Sequence, residues 1–366
     1  MTKKLAIKLA VYSALSLVAI GLLAGGYVWY SMDKTMKAMY EPLPSSKWVE
    51  PAFEPEPESE PSGNGRGGAT KEASGEGAGE GESPQAPGTV AAVPVSASTP
   101  DESPKTLLSE REAQRIRNPN LGNEEPFTIL LLGVDERAGD RGRSDTMILL
   151  TVQPKTGSAL ALSIPRDTRA FMPNSGKYDK INHAYAFGGT SLSVQAVEQL
   201  FGVPISYYMK TNMEGFVNIV DIVGGVDVNN ERSFDYEGAT FPVGMQHLDG
   251  EHALLYSRMR KEDPHGDFGR TSRQRQVLSD AIDKVVRVNS ITKLPKLLSQ
   301  LSQYVRTSLT SGDMIDLAMN YRPAIKNVKT LILQGQGKMI GGIYYYSVTP
   351  EARRSIQKEM LEHLGY

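Results

Sequence analysis

Twenty-two consecutive residues, Leu9 to Tyr30, carry no charge and are rich in Leu, Ala, Val and Gly. At about 1.5 Å per residue, a helix of that length matches a hydrocarbon core of about 30 Å. Lys3, Lys4 and Lys8 precede the run, and positive charge before a first span keeps that end in the cytoplasm. Tyr27, Trp29 and Tyr30 close it with amphipathic rings suited to the headgroup layer. A cleaved signal fits less well. Its apolar region is about 7–15 residues, and here Tyr-Val-Trp-Tyr follows directly on the small residues Ala24, Gly25 and Gly26. The expectation is a cytoplasmic tail at 1–8, one transmembrane helix at 9–30 acting as a signal-anchor in the cell membrane, and an extracytoplasmic remainder.

That remainder divides by composition. Residues 41–106 hold eleven of the 22 Pro and nine of the 35 Gly, with twelve acidic residues against four basic ones. Few large apolar side chains interrupt them, so burial cannot offset the ordering entropy, and the excess acid extends the segment. Residues 31–106 are therefore read as a disordered linker that spaces a domain from the membrane, and 107–366 as that domain. Zero Cys excludes disulfides, Cys-ligated metals and thiol catalysis. A net charge of −2 gives no reason to expect nucleic acid.

Within the domain, Phe127–Val134, Thr146–Val152 and Ala159–Ile164 are short apolar runs bounded by Gly, Asp or Pro, as buried strands are. Val203–Met209 and Ile340–Val348 read as further strands. Ser191–Phe201, Met213–Val223, Thr271–Val288 and Pro295–Val305 have helical spacing, and Pro350–Leu364 is a terminal helix with Pro near N1. The fold class is α/β, a layered α/β/α sandwich.

Polar residues collect at the ends of these strands, where α/β sheets bind ligands. Asp135 follows the first run and Arg143-Ser144-Asp145-Thr146 opens the second. Two such carboxylates suit a hard divalent cation with oxygen ligands; the alternative is ordinary loop carboxylates capping turns. Ser163-Ile164-Pro165-Arg166-Asp167-Thr168 closes the third strand, with Arg166 either in a surface pair with Asp167 or binding an anion. Asp249 caps a short helix through Glu251–Tyr256. After it come Arg258 and Arg260, which share a face if 257–261 is extended, and then Arg270 and Arg273 at the start of the next helix. Cations there oppose the helix dipole unless an anion lies between them; solvated basic residues are the alternative. Metal carboxylates together with several Arg are the equipment of phosphoryl transfer. The sequence has no phosphate loop, no Gly-x-Ser-x-Gly elbow and no His-Glu-x-x-His, and its five His show no ligand spacing.

The ordered stretches TILLLGVDERAGDRGRSDTMILLTVQP, SIPRDT, KINHAYAFGG, VDIVGGVDV, LDGEHALLYSRMR and DFGRTSRQRQVL, spanning Phe127 to Leu278, resemble the LytR-CpsA-Psr family of cell-envelope enzymes. The resemblance implies a phosphotransferase that takes an anionic glycopolymer, such as wall teichoic acid, from a polyprenyl pyrophosphate carrier. It joins the polymer through a phosphodiester to peptidoglycan at the outer membrane face. It also implies an LCP-like sandwich with a lipid pocket, and Mg²⁺ or Mn²⁺ as cofactor. By motif position Asp135 and Asp145 match the metal carboxylates. Arg143, Arg166, Arg258, Arg260, Arg270 and Gln274 match the pyrophosphate ligands, with Arg137 and Arg273 weaker matches. Asp135, Arg143, Asp145, Arg258 and Arg270 are the catalytic candidates. Two other functions use the same chain: a pyrophosphatase or phosphatase on the same lipid, and a non-catalytic envelope regulator.

Overall fold

The computed structural model describes residues 30–44 and 108–366, apart from 138, 261–262, 264–266 and 287–298. The expected transmembrane helix lies outside the described residues except for Tyr30, and so do the linker from 45 to 106 and the first residue of the expected domain. Among the described residues no helix is long and apolar enough to cross a membrane.

Three strands follow the helix Glu110–Arg117: β1 (Phe127–Val134), β2 (Ser144–Gln153) and β3 (Ser158–Ser163). The small hairpin β4 (Arg169–Met172) and β5 (Lys177–Lys180) leads into the helix His183–Phe201 and then β6 (Tyr207–Asn212). Strand β6 begins later than the apolar pattern at Val203 suggests. Pro204 has no N–H to give a ladder. Side chains pair that segment with β1 instead: Thr128 Oγ1 donates to the Pro204 carbonyl at 2.7 Å and Thr128 N to Ser206 Oγ at 3.0 Å.

The helix Met213–Ile222 precedes four short strands, β7 (Val226–Asn230), β8 (Phe234–Tyr236), β9 (Ala239–Phe241) and β10 (Gly244–Leu248). The helices Gly250–Arg258 and Asp267–Val286 pack with them around Val226, Phe234, Phe241, Tyr256 and Val277. Strand β11 (Val305–Thr307) takes Val305 out of the helix expected over Pro295–Val305, whose described part ends at Leu301. The helices Ser311–Asn320 and Arg322–Lys326 and strand β12 (Val328–Leu331) complete the sheet. The single late strand expected at 340–348 is a hairpin, β13 (Gln336–Ile340) and β14 (Ile343–Ser347). Its two-residue turn is Gly341-Gly342, both at positive φ, as such turns require. The terminal helix is Pro350–Leu364, with Thr349 as its cap.

The central sheet runs β11-β6-β1-β2-β3-β12. Strands β1 and β6 are parallel, as are β3 and β12, while β2 is antiparallel to both of its neighbours. Alternate residues feed two cores. Leu130, Leu132, Leu149 and Leu162 pack on the helices His183–Phe201 and Pro350–Leu364; Phe127, Ile129 and Val152 pack on Leu309, Tyr321 and Ala324 from the other side. The result is the three-layer α/β/α sandwich.

Residues 31–44, counted above with the linker, join this body together with Tyr30. Residues 30–39 are helical, and Met36 and Met39 are buried. Tyr40 bridges to Thr307 of β11, the Glu41 N–H donates to the Thr307 carbonyl at 2.8 Å, and Tyr208 Oη donates to the Glu41 carbonyl at 2.9 Å. The chain thus lies against the sheet at Tyr40 and Glu41.

Candidate active site

The topology sends the carboxyl ends of β1, β3 and β6 and the start of β2 to one end of the sheet. Between β1 and β2 the register slips: Gly133 faces Thr146 and Val134 faces Ser144, so Asp145 is an extra residue with no partner across the ladder. Such a bulge redirects a side chain out of the regular alternation. Asp145 thereby reaches Arg166, whose Nη1 donates to its Oδ1 at 3.1 Å, and Asn182, whose Nδ2 lies 3.4 Å from the same oxygen.

Asp135 is fixed by the loop that returns to β2. Its N–H donates to the Arg143 carbonyl at 3.0 Å, and its Oδ1 accepts from the Arg143 N–H. Gly142 sits at φ +66 with Asp135 packed against the face where a Cβ would stand, so a side chain at 142 would meet both steric and dihedral cost. Arg143 itself is exposed.

Asp167 forms a second hub. It receives Lys180 Nζ at 2.8 Å, Arg260 Nη1 at 3.7 Å and Arg166 Nε at 3.8 Å, while its carbonyl accepts the Tyr346 N–H at 2.8 Å. The structure therefore brings Asp135, Arg143, Asp145, Arg166 and Arg260 to one end of the sheet. Asp167, expected as a pair partner of Arg166, belongs to the same cluster, as do Asn182 and Lys180, which KINHAYAFGG carries without a spacing signal.

Other candidates fall differently. Arg258 is the last residue of its helix rather than part of an extended run, and it reaches Glu237 at 3.7 Å instead of sharing a face with Arg260. Gln274 Nε2 lies 3.5 Å from the Ser257 carbonyl, and Arg270 is buried in the first turn of its helix. Arg273 has a structural explanation. Its guanidinium donates to the Tyr256 carbonyl at 2.9 Å, to the Met259 carbonyl and to Asp263 at 2.5 Å, so it satisfies the open carbonyl end of the preceding helix. Arg137 is exposed and bridges Asp140 across its own loop. Arg275 is an unforeseen member: Nη1 donates to Ser163 Oγ at 3.2 Å, three residues before Arg166, and burial lowers its guanidinium from its usual range.

The donor set fits a divalent cation of a particular kind. Two carboxylates stand at neighbouring strand ends, and the buried Ser144 Oγ and Asn182 Oδ1 beside them have no hydrogen-bond partner among the described residues. Among those residues no group of three or more His, Cys, Asp or Glu side chains could form a protein cage. These oxygen donors are of the kind a hard divalent cation such as Mg²⁺ or Mn²⁺ accepts.

A family model described as the LytR_cpsA_psr family matches residues 93–362. The chain is a member of this family. Polyisoprenyl-teichoic acid--peptidoglycan teichoic acid transferase TagU of Bacillus subtilis (strain 168) is 45% identical over 255 residues, which cover 70% of this chain and 83% of that protein. The crystal structure of B. subtilis TagU superposes with a TM-score of 0.55 at 43% identity, covering 66% of this chain and 97% of the other. TagT bound to LIIa-WTA matches with a TM-score of 0.58 at 32% identity, covering 69% and 96%. The LytR_cpsA_psr match takes in every strand-end residue described above.

Proposed function

We propose that this protein transfers a teichoic-acid-type glycopolymer from a polyisoprenyl diphosphate carrier to peptidoglycan, forming a phosphodiester. Membership of the LytR_cpsA_psr family and the names of the TagU relatives support the reaction class. The observation that carries the site is the Asp145–Arg166 contact made possible by the β1–β2 bulge, with Asp135 beside it and Arg260 joined through Asp167.

In this reading Arg166 and Arg260 hold the diphosphate, because planar guanidinium groups match phosphate oxygens in pairs. Asp167 holds those guanidinium groups in place and is itself held by Lys180. The acceptor hydroxyl oxygen attacks the phosphorus that bears the glycopolymer. The bridging P–O bond breaks, and its electron pair leaves with polyprenyl phosphate. The hydroxyl proton passes to a carboxylate at this strand end, for which Asp135 is our candidate. A divalent cation held by Asp135 and Asp145 would supply charge neutralisation at the phosphates. Arg143, Arg258, Arg270 and Gln274 remain candidates for the outer contacts of the diphosphate. The apolar segment at 9–30 and the lysines before it support a single-pass anchor with the domain on the outer face of the cell membrane.

The test is product analysis. Full-length protein in detergent is incubated with a lipid-linked sugar diphosphate, Mg²⁺ and a peptidoglycan oligomer. The expected product is oligomer carrying sugar phosphate, with polyprenyl phosphate released in equal amount. Free sugar phosphate with no modified oligomer would assign a hydrolase instead.

A further inference from the structure

A cavity of about 290 Å³ opens beside the strand-end cluster, between the loop after β1, the start of the helix His183–Phe201, strand β6 and the segment that follows residue 40. Its wall includes Glu41, Glu136, Arg141, Tyr185, Thr190 and Lys210. Glu136 directly follows Asp135 in the chain, and Arg141 stands two residues before Arg143, so the loop that fixes the candidate site also forms this wall.

The chemistry of the wall is polar and balanced. Two cations and two carboxylates contribute no net charge. Lys210 Nζ pairs with Glu41 at 3.1 Å and lies 5.8 Å from the centre of the Tyr185 ring, and Tyr185 Oη donates to Glu136 at 2.9 Å. Burial, reinforced by Glu136, holds the Tyr185 phenol far above its ordinary range, so it keeps its proton. Thr190 is 7% exposed, and its buried Oγ1 has no hydrogen-bond partner among the described residues. Gly188 and Gly189 leave the helix start without side chains at the mouth, and Gly189 breaks the helical dihedrals there. With as many carboxylates as cations on the wall, and Lys210 already held by Glu41, an anionic diphosphate would gain little there. A greasy chain would strand its polar groups. A ligand rich in hydroxyl and amide groups fits both, since it brings donors and acceptors to the wall's carboxylates and to the Thr190 hydroxyl. The volume lies near the lower end of small-molecule clefts.

We propose that this cavity is the acceptor subsite, binding an N-acetylated amino-sugar unit of a glycan strand with its hydroxyl directed toward Asp135. The proposal rests on the transfer reaction above and adds to it where the second substrate sits. It also gives the segment Glu41–Pro44 a role, because that segment supplies one wall of the cavity next to the membrane-proximal helix.

The experiment uses full-length protein and a soluble oligomer of alternating N-acetylglucosamine and N-acetylmuramic acid. Binding of the oligomer alone is measured by saturation-transfer NMR, and acceptor and donor KM are measured separately in the transfer assay. Ser191 also lines the cavity, and Ser191→Trp places a large ring there; Thr190→Val and Tyr185→Phe remove single hydroxyls with little change of shape. The expected result is a tenfold or larger loss of oligomer binding for Ser191→Trp and a severalfold loss for the other two. Acceptor KM rises in step and donor KM stays within twofold. Unchanged oligomer binding in a folded Ser191→Trp protein overturns the proposal, as does a rise in donor KM alone. Because oligomer binding is read without donor, a protein that binds the glycan in this cavity but transfers nothing would keep the subsite and remove the transfer reading.

Discussion

Replacing Asp145 by Asn asks whether this carboxylate serves the fold or the chemistry. Its Oδ1 accepts from Arg166 at 3.1 Å, and the two side chains are 30% and 27% exposed. Unit charges about 4 Å apart interact by about 4 kcal/mol at an effective dielectric near 20. Screening and side-chain entropy reduce such a partly exposed pair to about 1 kcal/mol of net stability. Asn keeps the volume and an oxygen that still accepts from Arg166. The variant should therefore lose about 1 kcal/mol, a Tm shift of about 2–4 °C for a domain of this size. Turnover should respond on a different scale, because removing one group that stabilises charge at a reacting centre costs about 10²- to 10³-fold in kcat. Thermal unfolding and single-turnover transfer, measured on the same preparation, give both numbers. A variant that kept more than a tenth of wild-type turnover would refute the assignment. Stability loss above about 3 kcal/mol would show instead that the bulge needs the charge to fold.

Three further outcomes follow from packing and burial. Leu149 is fully buried in β2 between β1 and β3, so Leu149→Ala should cost about 2–5 kcal/mol in urea unfolding, and a loss below 1 kcal/mol would contradict the core described. Part-buried Arg117 pairs with the buried Glu198 at 2.5 Å, and Glu198 also accepts the Ile205 N–H; Arg117→Ala leaves a buried carboxylate without its counter-charge and should cost about 3–5 kcal/mol, whereas a neutral result would mean that Glu198 protonates freely there. His363 sits with its ring nitrogens 2.8 Å from Thr151 Oγ1 and 3.0 Å from Ser158 Oγ, and burial, with Lys329 adding, lowers its pKa from the ordinary 6.5. The unfolded chain then takes up a proton near pH 6.5 that the folded protein resists, so this contribution to stability is present above that pH and is lost on acidification. His363→Gln should flatten the stability slope between about pH 7 and 5, and an unchanged slope would exclude the ring as its source.

The parts of the fold that show in the sequence are those where burial leaves little choice. Strand β1 is apolar at almost every position because it lies mid-sheet with a core on each face, and its pattern marks its limits. The Asp249 cap also reads directly, since its carboxylate accepts the His252 N–H at 2.9 Å. Strand β14 shows as apolar, yet its outer residues Ile343 and Tyr344 are about half exposed, and only the Gly341-Gly342 pair marks the turn that splits the run. The docking of residues 30–44 does not show in the sequence because its partners lie more than 160 residues away, Thr307 for Tyr40 and Lys210 for Glu41. At the site, Asp135, Asp145 and Arg166 stand at strand ends that hydropathy locates. Asp167 and Asn182 act through contacts between elements, which spacing along one chain does not encode. Arg258 and Arg273 went the other way: a helix that runs to Arg258 turns one toward Glu237, and the carbonyl end of that helix engages the other.

The most direct test of the central claim is a crystal structure of the protein grown with Mn²⁺ and a short-chain prenyl diphosphate. The account predicts diphosphate density in contact with Arg166 and Arg260 and an anomalous peak bound by Asp135 and Asp145. A diphosphate ordered away from these strand ends, or Mn²⁺ bound without either carboxylate, would contradict it.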